Sequence, residues 1–449
     1  MASPRFVPPH PPRPSGPAPF WAGLLGERAR NAVYGWSQQA FEKTHIRRQV
    51  FGWTVHIPLH PDSIQRVMLD NAANYAKPAI VKKLIAPMIG RGLLSTDGED
   101  WRKQRKVVAA TFTPPAVDAL IPVFRKAAED KARGWGDGAR FDMAEEATAT
   151  TMAVIADSLF GGDERLKTVA ARRQIETALA AGSEIRLPAL LGLPVFGWNR
   201  KIRAGQRAQR ELRATLRALV QERADGKGDD FLAKILGDMD DVFGDVEARK
   251  LALDNAATFY LAGHETTANA LTWALFLLSE QAELQDSLAD EARAAIAASG
   301  DGPVSVERLP CLRAMLDETL RLYPSVPRFD REALGPDELD GVAVAAGDII
   351  SIWPWVLHRH ARLWDDPDAF DAERFAKNGD RHRFQYIPFG AGSRTCVGAR
   401  FAITEALVIL AHWITEWRFL PVPGNRVWPT GSVTLRPQGG LPLRVERRA

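Results

Sequence analysis

Helical periodicity over most of the chain is the feature that most constrains its fold. Apolar residues recur at intervals of three and four, which is the spacing of one helix face. The predicted helices cover residues 61–71, 98–110, 115–135, 142–160, 164–181, 199–224, 231–237, 246–279, 282–298, 310–322 and 398–417. Strand-like alternation is confined to residues 49–60, 338–352 and 432–445. The sequence therefore predicts a mainly α-helical fold with small β-sheets (α+β) and one very long helix.

Composition and the distribution of proline divide the chain into a short tail and one large domain. With 449 residues, 46% hydrophobic and 25% charged, the chain can bury a large core and has the balance of a soluble globular protein. Proline is frequent in residues 1–20 and favours extended polyproline structure, so we expect a Pro-rich N-terminal tail there. No repeat or linker divides the remainder, so residues 21–449 are predicted to form a single domain.

Charge, cysteine content and apolar stretches exclude several classes of protein. A net charge of +3, without a basic stretch interleaved with aromatic residues, argues against a nucleic-acid-binding protein. Two cysteines exclude a disulfide scaffold and are typical of the cytoplasm. The N-terminal residues hold no apolar run typical of a signal peptide, so we expect no membrane anchor. A monomer is expected, although the sequence leaves the oligomeric state open. Whether the apolar residues 187–198 cover a channel or touch a membrane surface is left open.

The segment PFGAGSRTCVGARFA surrounds Cys396 with glycines and arginines. Gly392 and Gly398 allow the backbone to turn tightly or to approach a bulky group. Cys396 precedes the predicted helix 398–417, whose dipole would favour a thiolate, and Arg394 adds positive charge. Such a thiolate suits a metal ligand or a nucleophile, but the segment holds no histidine base and a zinc site would need three further ligands. A buried structural cysteine is the alternative that these residues alone leave open.

Two further segments combine polar residues with helical spacing. In LDETLRLYP, Glu318 and Arg321 lie three residues apart and so share one helix face. In YLAGHETTANAL, Gly263 weakens the long helix, and an acid followed by two threonines is unusual in such apolar surroundings. Taken alone, the first pattern is equally explained by a surface ion pair, and the second by a polar stripe facing solvent.

Together these segments resemble the signatures of the cytochrome P450 family, in particular its soluble bacterial members. The residues that match its haem-binding pattern F-x-x-G-x-R-x-C-x-G are Phe389, Gly392, Arg394, Cys396 and Gly398. The residues that match its long-helix pattern A-G-x-[DE]-T-T are Ala262, Gly263, Glu265, Thr266 and Thr267. Several motifs in family order, spread over most of the chain, carry the resemblance.

A third family motif involves charged residues away from the cysteine. Glu318 and Arg321 match the E-x-x-R of the family's K helix. The segment DAERF supplies Arg374 as their third partner, with Ala372 where the family usually has proline. By the resemblance, Glu318, Arg321 and Arg374 form a structural triad that holds the loop beneath the haem, and breaking such a buried network costs about 3–5 kcal/mol.

The resemblance assigns further residues to the haem. Cys396 would be the axial thiolate ligand of the iron, with Phe389 packed near the sulfur. The residues expected at the haem propionates are Arg394, the W-x-x-x-R pair Trp101 and Arg105, and Arg331, with Arg328 as the rival of Arg331. Residues expected to lie against the macrocycle or to make room for it are Gly392, Gly398 and Ala262.

The resemblance also implies which residues transfer protons and which contact the substrate. Glu265 and Thr266 would be the acid–alcohol pair that relays protons to bound dioxygen. His264 is expected to be a wall residue or a satisfied hydrogen-bond partner rather than an iron ligand. The residues expected to contact substrate are Phe259, Val326, Phe329, Val433 and Thr434.

The implied activity is that of a haem-thiolate monooxygenase, which inserts one oxygen atom of O2 into a hydrophobic small molecule by hydroxylation or epoxidation. Its cofactor would be haem b, with electrons from NAD(P)H through a ferredoxin or flavodoxin and its reductase. The basic residues expected to dock that partner are Arg102, Lys103, Lys106, Arg383 and Arg400. The alternatives are a peroxide-driven peroxygenase and a non-enzymatic haem sensor or ligand-binding protein, neither of which needs the acid–threonine pair.

Overall fold

The structure is a computed structural model of the 449-residue chain. It describes residues 5–16, 31–50, 52–190, 199–228, 230–300, 302–376, 379–431 and 433–448, and only the backbone of residues 180 and 182–190. Part of the predicted N-terminal tail, residues 1–4 and 17–20, lies outside the described residues. Most of the apolar segment 187–198, whose membrane contact was left open, also lies outside them.

Helices account for most of the described chain. The α-helices are α1 (Pro61–Gln65), α2 (Ala79–Ile89), α3 (Gly98–Thr111), α4 (Pro114–Asp118), α5 (Ile121–Ala132), α6 (Met143–Leu159), α7 (Val169–Leu190), α8 (Arg200–Ala224), α9 (Phe231–Phe243), α10 (Asp245–Ser279), α11 (Ala282–Ser299), α12 (Pro310–Leu322), α13 (Pro354–Leu357) and α14 (Ala399–Glu416). The long helix predicted over residues 246–279 is α10, and the helix predicted after the cysteine is α14.

The strands form small sheets. They are β1 (His45–Val50), β2 (Trp53–Pro58), β3 (Tyr75–Ala76), β4 (Arg140–Asp142), β5 (Phe329–Ala333), β6 (Asp337–Leu339), β7 (Val342–Val344), β8 (Ile349–Ile352), β9 (Trp417–Pro421), β10 (Pro429–Gly431), β11 (Leu435–Pro437) and β12 (Pro442–Arg447). The largest sheet has the order β1-β2-β8-β5-β3, with β2 and β8 parallel and the other pairs antiparallel. The others are β4-β12-β9 and the pairs β6-β7 and β10-β11. The predicted fold class, mainly α with small sheets, is confirmed.

Proline is involved in two of the differences between the predicted and the observed helices. The helix predicted over residues 115–135 is divided into α4 and α5, because Pro122 cannot donate an intrahelical hydrogen bond and so favours the start of a new helix. Helix α2 was not predicted at all. Its apolar run hides the helical period, and Pro87 in its last turn removes one hydrogen bond.

The chain divides into two compact units. The first unit comprises Met1–Ala76, Phe124–Thr148 and Thr266–Ala449, and the second comprises Lys77–Val123 and Ala149–Glu265. All the strands named above belong to the first unit, whereas the second unit is helical. Helix α10 begins in the second unit and continues into the first. The prediction of a single domain over residues 21–449 stays a prediction.

Two stacked aromatic side chains lie in the buried core of the first unit. The rings of Trp273 on α10 and Tyr323 after α12 are stacked, with centroids 3.8 Å apart and planes at 4°. The indole Nε1 of Trp273 donates to the carbonyl oxygen of Leu435 at 3.1 Å, and the hydroxyl of Tyr323 donates to the carbonyl oxygen of Pro9 at 2.8 Å. Every polar edge of this buried stack is therefore bonded to backbone.

Residues 5–16 of the Pro-rich tail lie against the first unit without regular secondary structure. The amide of Phe370 donates to the carbonyl oxygen of Phe6 at 2.9 Å. The guanidinium of Arg13 forms a two-point ion pair with Asp368 and lies over the ring of Phe41, 3.6 Å from its centroid. Part of the predicted tail is thus bonded to the segment that follows α13.

Within the described residues, no single helix is long and apolar enough to cross a membrane. One bent pair, Gly98–Thr111 with Pro114–Ala132, meets the length and composition criteria jointly.

Candidate active site

The cysteine segment forms a tight loop that leads into α14. Pro388 and Gly390 form an isolated β-bridge, and Gly392–Arg394 form one 3-10 turn. The amide of Cys396 donates to the carbonyl oxygen of Phe389 at 2.9 Å, and Cys396 is exposed. Helix α14 begins three residues later without a side-chain cap. The open amides at the positive end of that helix therefore follow the thiol directly along the chain.

Gly392 is required by a close approach to another part of the first unit. Its φ is +65°, and a Cβ built there would overlap the carbonyl group of Met68, in the π-helical turn Arg66–Asp70. Gly398 has open space around its Cβ position and φ of −90°. The expectation that both glycines make room for a macrocycle stays a prediction, and for Gly392 the protein backbone already explains the residue.

Helix α10 is accessible along one stripe only. Between residues 251 and 279, all residues are buried except five that are exposed or half-buried. These five are Phe259, Ala262, Gly263, Glu265 and Thr266. Their spacing of three and four residues places them on one side of the helix. The AGHETT motif therefore presents its acid, its first threonine and its small residues on the open side of an otherwise buried helix.

Gly263 allows close helix packing within the second unit. A Cβ at this position would lie 2.7 Å from Cδ1 of Ile155 on α6. The helix-weakening glycine of the motif therefore has a packing cause in addition to any effect on helix geometry.

His264 is buried, although its neighbours in the motif are accessible. Its Nδ1 donates to the carbonyl oxygen of Tyr260, one turn earlier, at 2.5 Å. Burial lowers the pKa of His264 from 6.5 to about 4. The imidazole is therefore neutral at pH 7 and has a hydrogen-bond partner in its own helix.

Two hydroxyl groups bond to the backbone of α10 beside Glu265. In the second unit, Thr151 Oγ1 donates to the carbonyl oxygen of His264 at 3.0 Å. In the first unit, Ser325 Oγ donates to the carbonyl oxygen of Thr266 at 2.8 Å. Neither residue was named from the sequence, because no short motif marks a hydroxyl that acts on a distant helix. Both fix the helix backbone that carries the acid–alcohol pair.

Glu318, Arg321 and Arg374 meet in a buried cluster. Arg321 Nε and Nη2 donate to the two carboxylate oxygens of Glu318, each at 2.7 Å, and both side chains are fully buried. Arg374 Nε donates to Glu318 Oε1 at 3.1 Å, and the amide of Asp371 donates to the same oxygen at 3.0 Å. The single carboxylate is thus saturated with donors.

The remaining donors of Arg321 bond the chain that follows α13. Nη1 donates to the carbonyl oxygens of His358 and Pro367 at 2.8 and 2.6 Å, and Nη2 donates to that of Ala369 at 3.0 Å. The amide of Ile387, two residues before Phe389, donates to His358 Nε2 at 2.9 Å. A continuous set of hydrogen bonds therefore runs from the charged cluster to the start of the cysteine loop.

The residues expected at the propionates occur in both units. In the second unit, Trp101 and Arg105 are half-buried, one turn apart on α3. In the first unit, Arg331 is 8% exposed on β5. Its rival Arg328 is exposed and pairs with the Asp330 carboxylate, with Nη2 at 2.8 Å. Arg331 is thus the more buried of the two, and which of them meets a propionate stays a prediction.

The residues expected to contact substrate differ in exposure. Phe259 is half-buried on the accessible stripe of α10 and packs edge-on against Phe112 and Phe231, with centroids 6.1 and 5.9 Å away. Val326, Phe329 and Thr434 are half-buried, and Phe329 packs against the core of the largest sheet. Val433 is 54% exposed. Phe259 thus extends the AGHETT stripe with an aromatic surface.

Glu405 is a buried acid that the sequence analysis did not single out. It lies on α14 with no exposed surface. Burial raises the pKa of Glu405 well above its usual value of 4.5, and nearby Thr267 only partly opposes this effect. An acid inside the apolar run FAITEALVIL was the signal available in the sequence.

The residues of the cysteine loop fit a haem group. No cluster of three or more His, Cys, Asp or Glu side chains in the described part of the chain could hold a metal ion. A metal at Cys396 would therefore take its other ligands from a prosthetic group, as the four nitrogens of a porphyrin provide. The exposed thiol supplies the axial donor, and arginines at positions 331 and 394 of the same unit suit anionic propionates.

Comparisons with known proteins agree with this chemistry. The family model described as Cytochrome P450 matches residues 11–441. Cyclooctatin synthase of Streptomyces melanosporofaciens is 31% identical over 399 residues, which cover 87% of this chain and 85% of that protein. Cytokinin hydroxylase of Arabidopsis thaliana is 31% identical over 380 residues, covering 79% of this chain and 71% of that protein.

A solved structure supports the fold. The crystal structure of the cytochrome P450DA haem domain matches 99% of this chain and 99% of its own length, with a TM-score of 0.83 and 21% sequence identity. At this identity the structural match supports the fold alone. Membership of a family is supported by the family model and by the relatives. Since the family model spans nearly the whole sequence, the chain belongs to the cytochrome P450 family of monooxygenases.

Proposed function

We propose that the chain inserts one oxygen atom of O2 into a hydrophobic small molecule, by hydroxylation or epoxidation, with electrons from a separate redox protein. The observation that carries the proposal is the accessible stripe of α10, which brings Glu265 and Thr266 to the open side of a buried helix. A haem sensor or a peroxygenase has no use for an acid and an alcohol presented in this way.

The residues proposed to hold the haem are those that match the family's motifs. Cys396 would bind the iron, while Arg394, Arg331, Trp101 and Arg105 would bind the propionates. Phe389, Gly392, Gly398 and Ala262 would lie against the cofactor. When bound, a haem with a thiolate ligand supplies the activation of dioxygen.

The acid–alcohol pair would move protons at the accessible stripe. The Glu265 carboxyl group takes protons from solvent, and the Thr266 hydroxyl passes them on toward the open side of α10. Ser325 keeps the Thr266 backbone in place by its bond to the carbonyl oxygen at 2.8 Å. Phe259 and Ala262, on the same stripe, orient an apolar substrate beside the relay. We also propose that the substrate is contacted by Val326, Phe329, Val433 and Thr434.

The structural triad would keep the cysteine loop in place. Glu318, Arg321 and Arg374 act on folding and haem retention rather than on the reaction, since their donors bond to one another and to backbone carbonyl groups.

The redox partner proposed is an acidic ferredoxin or flavodoxin with its reductase. Arg400 is exposed beside a depression of about 550 Å³. The lining combines the apolar residues Val306, Pro310, Ile403 and Leu407 with Arg313, Arg400 and Glu307, and Glu307 lies 3.9 Å from Arg400. Two arginines beside apolar side chains suit an acidic protein with an apolar tip. Arg383 in the same unit, and Arg102, Lys103 and Lys106 on α3, are also exposed. The cytoplasm is the proposed location, on the ground of only two cysteines.

One pair of measurements tests the function. The reduced protein with carbon monoxide should show the red-shifted absorption of a thiolate-bound haem, and its absence would contradict the haem assignment. Turnover of a library of hydrophobic compounds with NAD(P)H and a surrogate ferredoxin system should then exceed turnover with peroxide alone. Thr266→Ala and Glu265→Gln should lower product formed per NAD(P)H. Undiminished yield in both variants would contradict the relay.

The docking proposal has its own test. Arg400→Glu should slow reduction by the ferredoxin at low salt, because the opposing charges that speed association are lost. Arg426→Glu, which changes another exposed arginine of the first unit, is the matched control. Equal rates for Arg400→Glu and the control would contradict docking at the depression.

A further inference from the structure

Two adjacent polar residues in the buried first half of α10 are not used by the proposed chemistry. Asp254 and Asn255 are 8% and 0% exposed, in a helix whose other residues there are mostly apolar. Both side chains accept hydrogen bonds from backbone amides of the loop between α2 and α3. These residues all belong to the second unit. We call residues 90–96 the stapled loop.

Asp254 joins the stapled loop to α8. Its Oδ2 accepts from the amide of Arg91 at 2.7 Å, and its Oδ1 accepts from Nη2 of Arg213 at 2.6 Å. Arg213 Nη1 donates in turn to the carbonyl oxygen of Met88, in the last turn of α2, at 3.1 Å. One carboxylate and one guanidinium therefore connect α2, α8 and α10.

Asn255 bonds the next part of the loop. Its Oδ1 accepts from the amide of Leu93 at 2.9 Å, and its Nδ2 donates to Gln104 Oε1 on α3 at 2.8 Å. Gln104 Nε2 donates back to the carbonyl oxygen of Arg91 at 3.2 Å. The loop backbone is thus held from α10 and from α3 by neutral side chains that are fully buried.

Two glycines let the loop approach α10 this closely. A Cβ at Gly90 would overlap the carboxylate of Asp254, and one at Gly92 would lie 2.7 Å from the Asp254 carbonyl oxygen. Gly90 has a φ of +53°. The sequence of the loop and that of the helix are therefore matched to each other, residue against residue.

We propose that Asp254 and Asn255 are positioning residues for the stapled loop, and that the Arg213–Asp254 ion pair is a latch that couples movement of α8 to release of that loop. Helix α8 cannot move away from α10 without removing the donor to Met88 and one of the two partners of Asp254. The inference rests on the proposed function in one respect. The loop leads into α3, which carries the proposed haem residues Trp101 and Arg105, so the latch would set how fast ligands reach the site.

Hydrogen exchange of the full-length protein tests the latch without reference to activity. The variants are Arg213→Met, which keeps the apolar stem, Asp254→Asn, and the two combined. Amides of residues 88–93 should exchange about 10- to 100-fold faster in each single variant, since a charge-assisted hydrogen bond of this kind is lost. The combined variant should add little to either one, because both changes break the same pair.

The controls make the exchange result specific. Arg207→Met removes an exposed ion pair with Glu211 on the same helix and should leave exchange of residues 88–93 unchanged. Arg213→Lys keeps the charge but cannot bond Asp254 and Met88 together, so it should restore part of the protection. Exchange at the wild-type rate in Arg213→Met, or equal acceleration in Arg207→Met, would overturn the proposal.

Ligand-binding rates separate this inference from the proposed function. With clotrimazole as the probe, followed by the haem spectrum after rapid mixing, Arg213→Met should bind and release about tenfold faster, with a much smaller change in affinity. Unaltered rates in both directions would overturn the coupling to ligand access. If wild type gives no haem spectrum at all, the proposed function fails while the exchange experiment still decides the latch.

Discussion

The Cα of Gly392 lies so close to the carbonyl group of Met68 that no side chain fits between them. Gly392 opens the 3-10 turn before Cys396, and Met68 belongs to a π-helical turn more than 300 residues earlier in the sequence. The thiol-bearing loop is therefore seated on a distant backbone segment.

Gly392→Ala should destabilise the protein by several kcal/mol, because the new Cβ overlaps backbone atoms and φ is positive; changes that strain an incompatible backbone cost more than about 1 kcal/mol. Thermal unfolding followed by circular dichroism measures the loss. Gly237→Ala in α9, where nothing lies within 4 Å of the Cβ position, is the control and should be neutral or slightly stabilising. Equal melting temperatures for Gly392→Ala and wild type would refute the close approach.

Arg321→Met should cost about 3–5 kcal/mol of unfolding free energy and reduce haem retention, because it leaves Glu318 buried with its main partner removed. It also strips donors from the carbonyl groups of His358, Pro367 and Ala369. Denaturant unfolding and the haem-to-protein absorbance ratio report the two effects. Arg313→Met is the control, since it removes an ion pair on the same helix in which the arginine is 45% exposed and Asp317 keeps the Tyr386 hydroxyl as a donor, and it should cost less than Arg321→Met. Similar losses in both variants would contradict a special role for the triad.

Acid should weaken the fold through His358. Burial, assisted by the nearby Arg321 and Arg359 charges, lowers its pKa from 6.5 to about 3. Between about pH 6.5 and pH 3, His358 is therefore protonated in the unfolded chain and neutral in the folded chain. Stability is full above pH 6.5 and falls by about 1.4 kcal/mol per pH unit below it for this group.

The measurement is denaturant unfolding at pH 7, 6 and 5 for wild type and His358→Asn. The variant should be less stable at pH 7, because the amide of Ile387 loses its acceptor, but its stability should fall less steeply with acid. Parallel pH profiles for the two proteins would show that the imidazole does not titrate in the predicted window.

Glu405→Gln should remove a pH dependence of the opposite sign. Burial raises the folded-state pKa of Glu405 well above 4.5, so the unfolded chain releases a proton that the folded chain keeps. From pH 4.5 upward, stability falls by about 1.4 kcal/mol per unit until the folded-state pKa is reached. The variant cannot ionise, so its stability relative to wild type should rise between pH 4.5 and 7. A constant difference over that range would mean that Glu405 is already ionised in the fold.

Sequence patterns could predict what depends on short spacing. Glu318 and Arg321 share a helix face at three residues, and the residues around Cys396 match a fixed pattern, so both could be named before the structure. The length of α10 followed from periodicity, since a 3.6-residue repeat needs only local sequence. Arg374 was reached only through the family resemblance.

What could not be predicted depends on segments that meet only after folding. Nothing near Met68 indicates that a glycine will lie against it, and Asp254 resembles any acid in a helix until Gly90 and Arg213 are placed beside it. Gly263 was interpreted as a helix-weakening residue, whereas its contact with Ile155 required the packing of α6. Close approaches of this kind are properties of tertiary structure and leave no local signature.

The contacts of residues 5–16 with the first unit have a consequence for folding during synthesis on the ribosome. Pro9 and Arg13 bond to Tyr323 and Asp368, which are 314 and 355 residues further along the chain. At about 5–20 residues per second, the early segment waits roughly 20–70 s before its partners emerge. Throughout that interval its prolines and arginines are accessible to chaperones and proteases. The first unit can therefore be completed only near the end of translation.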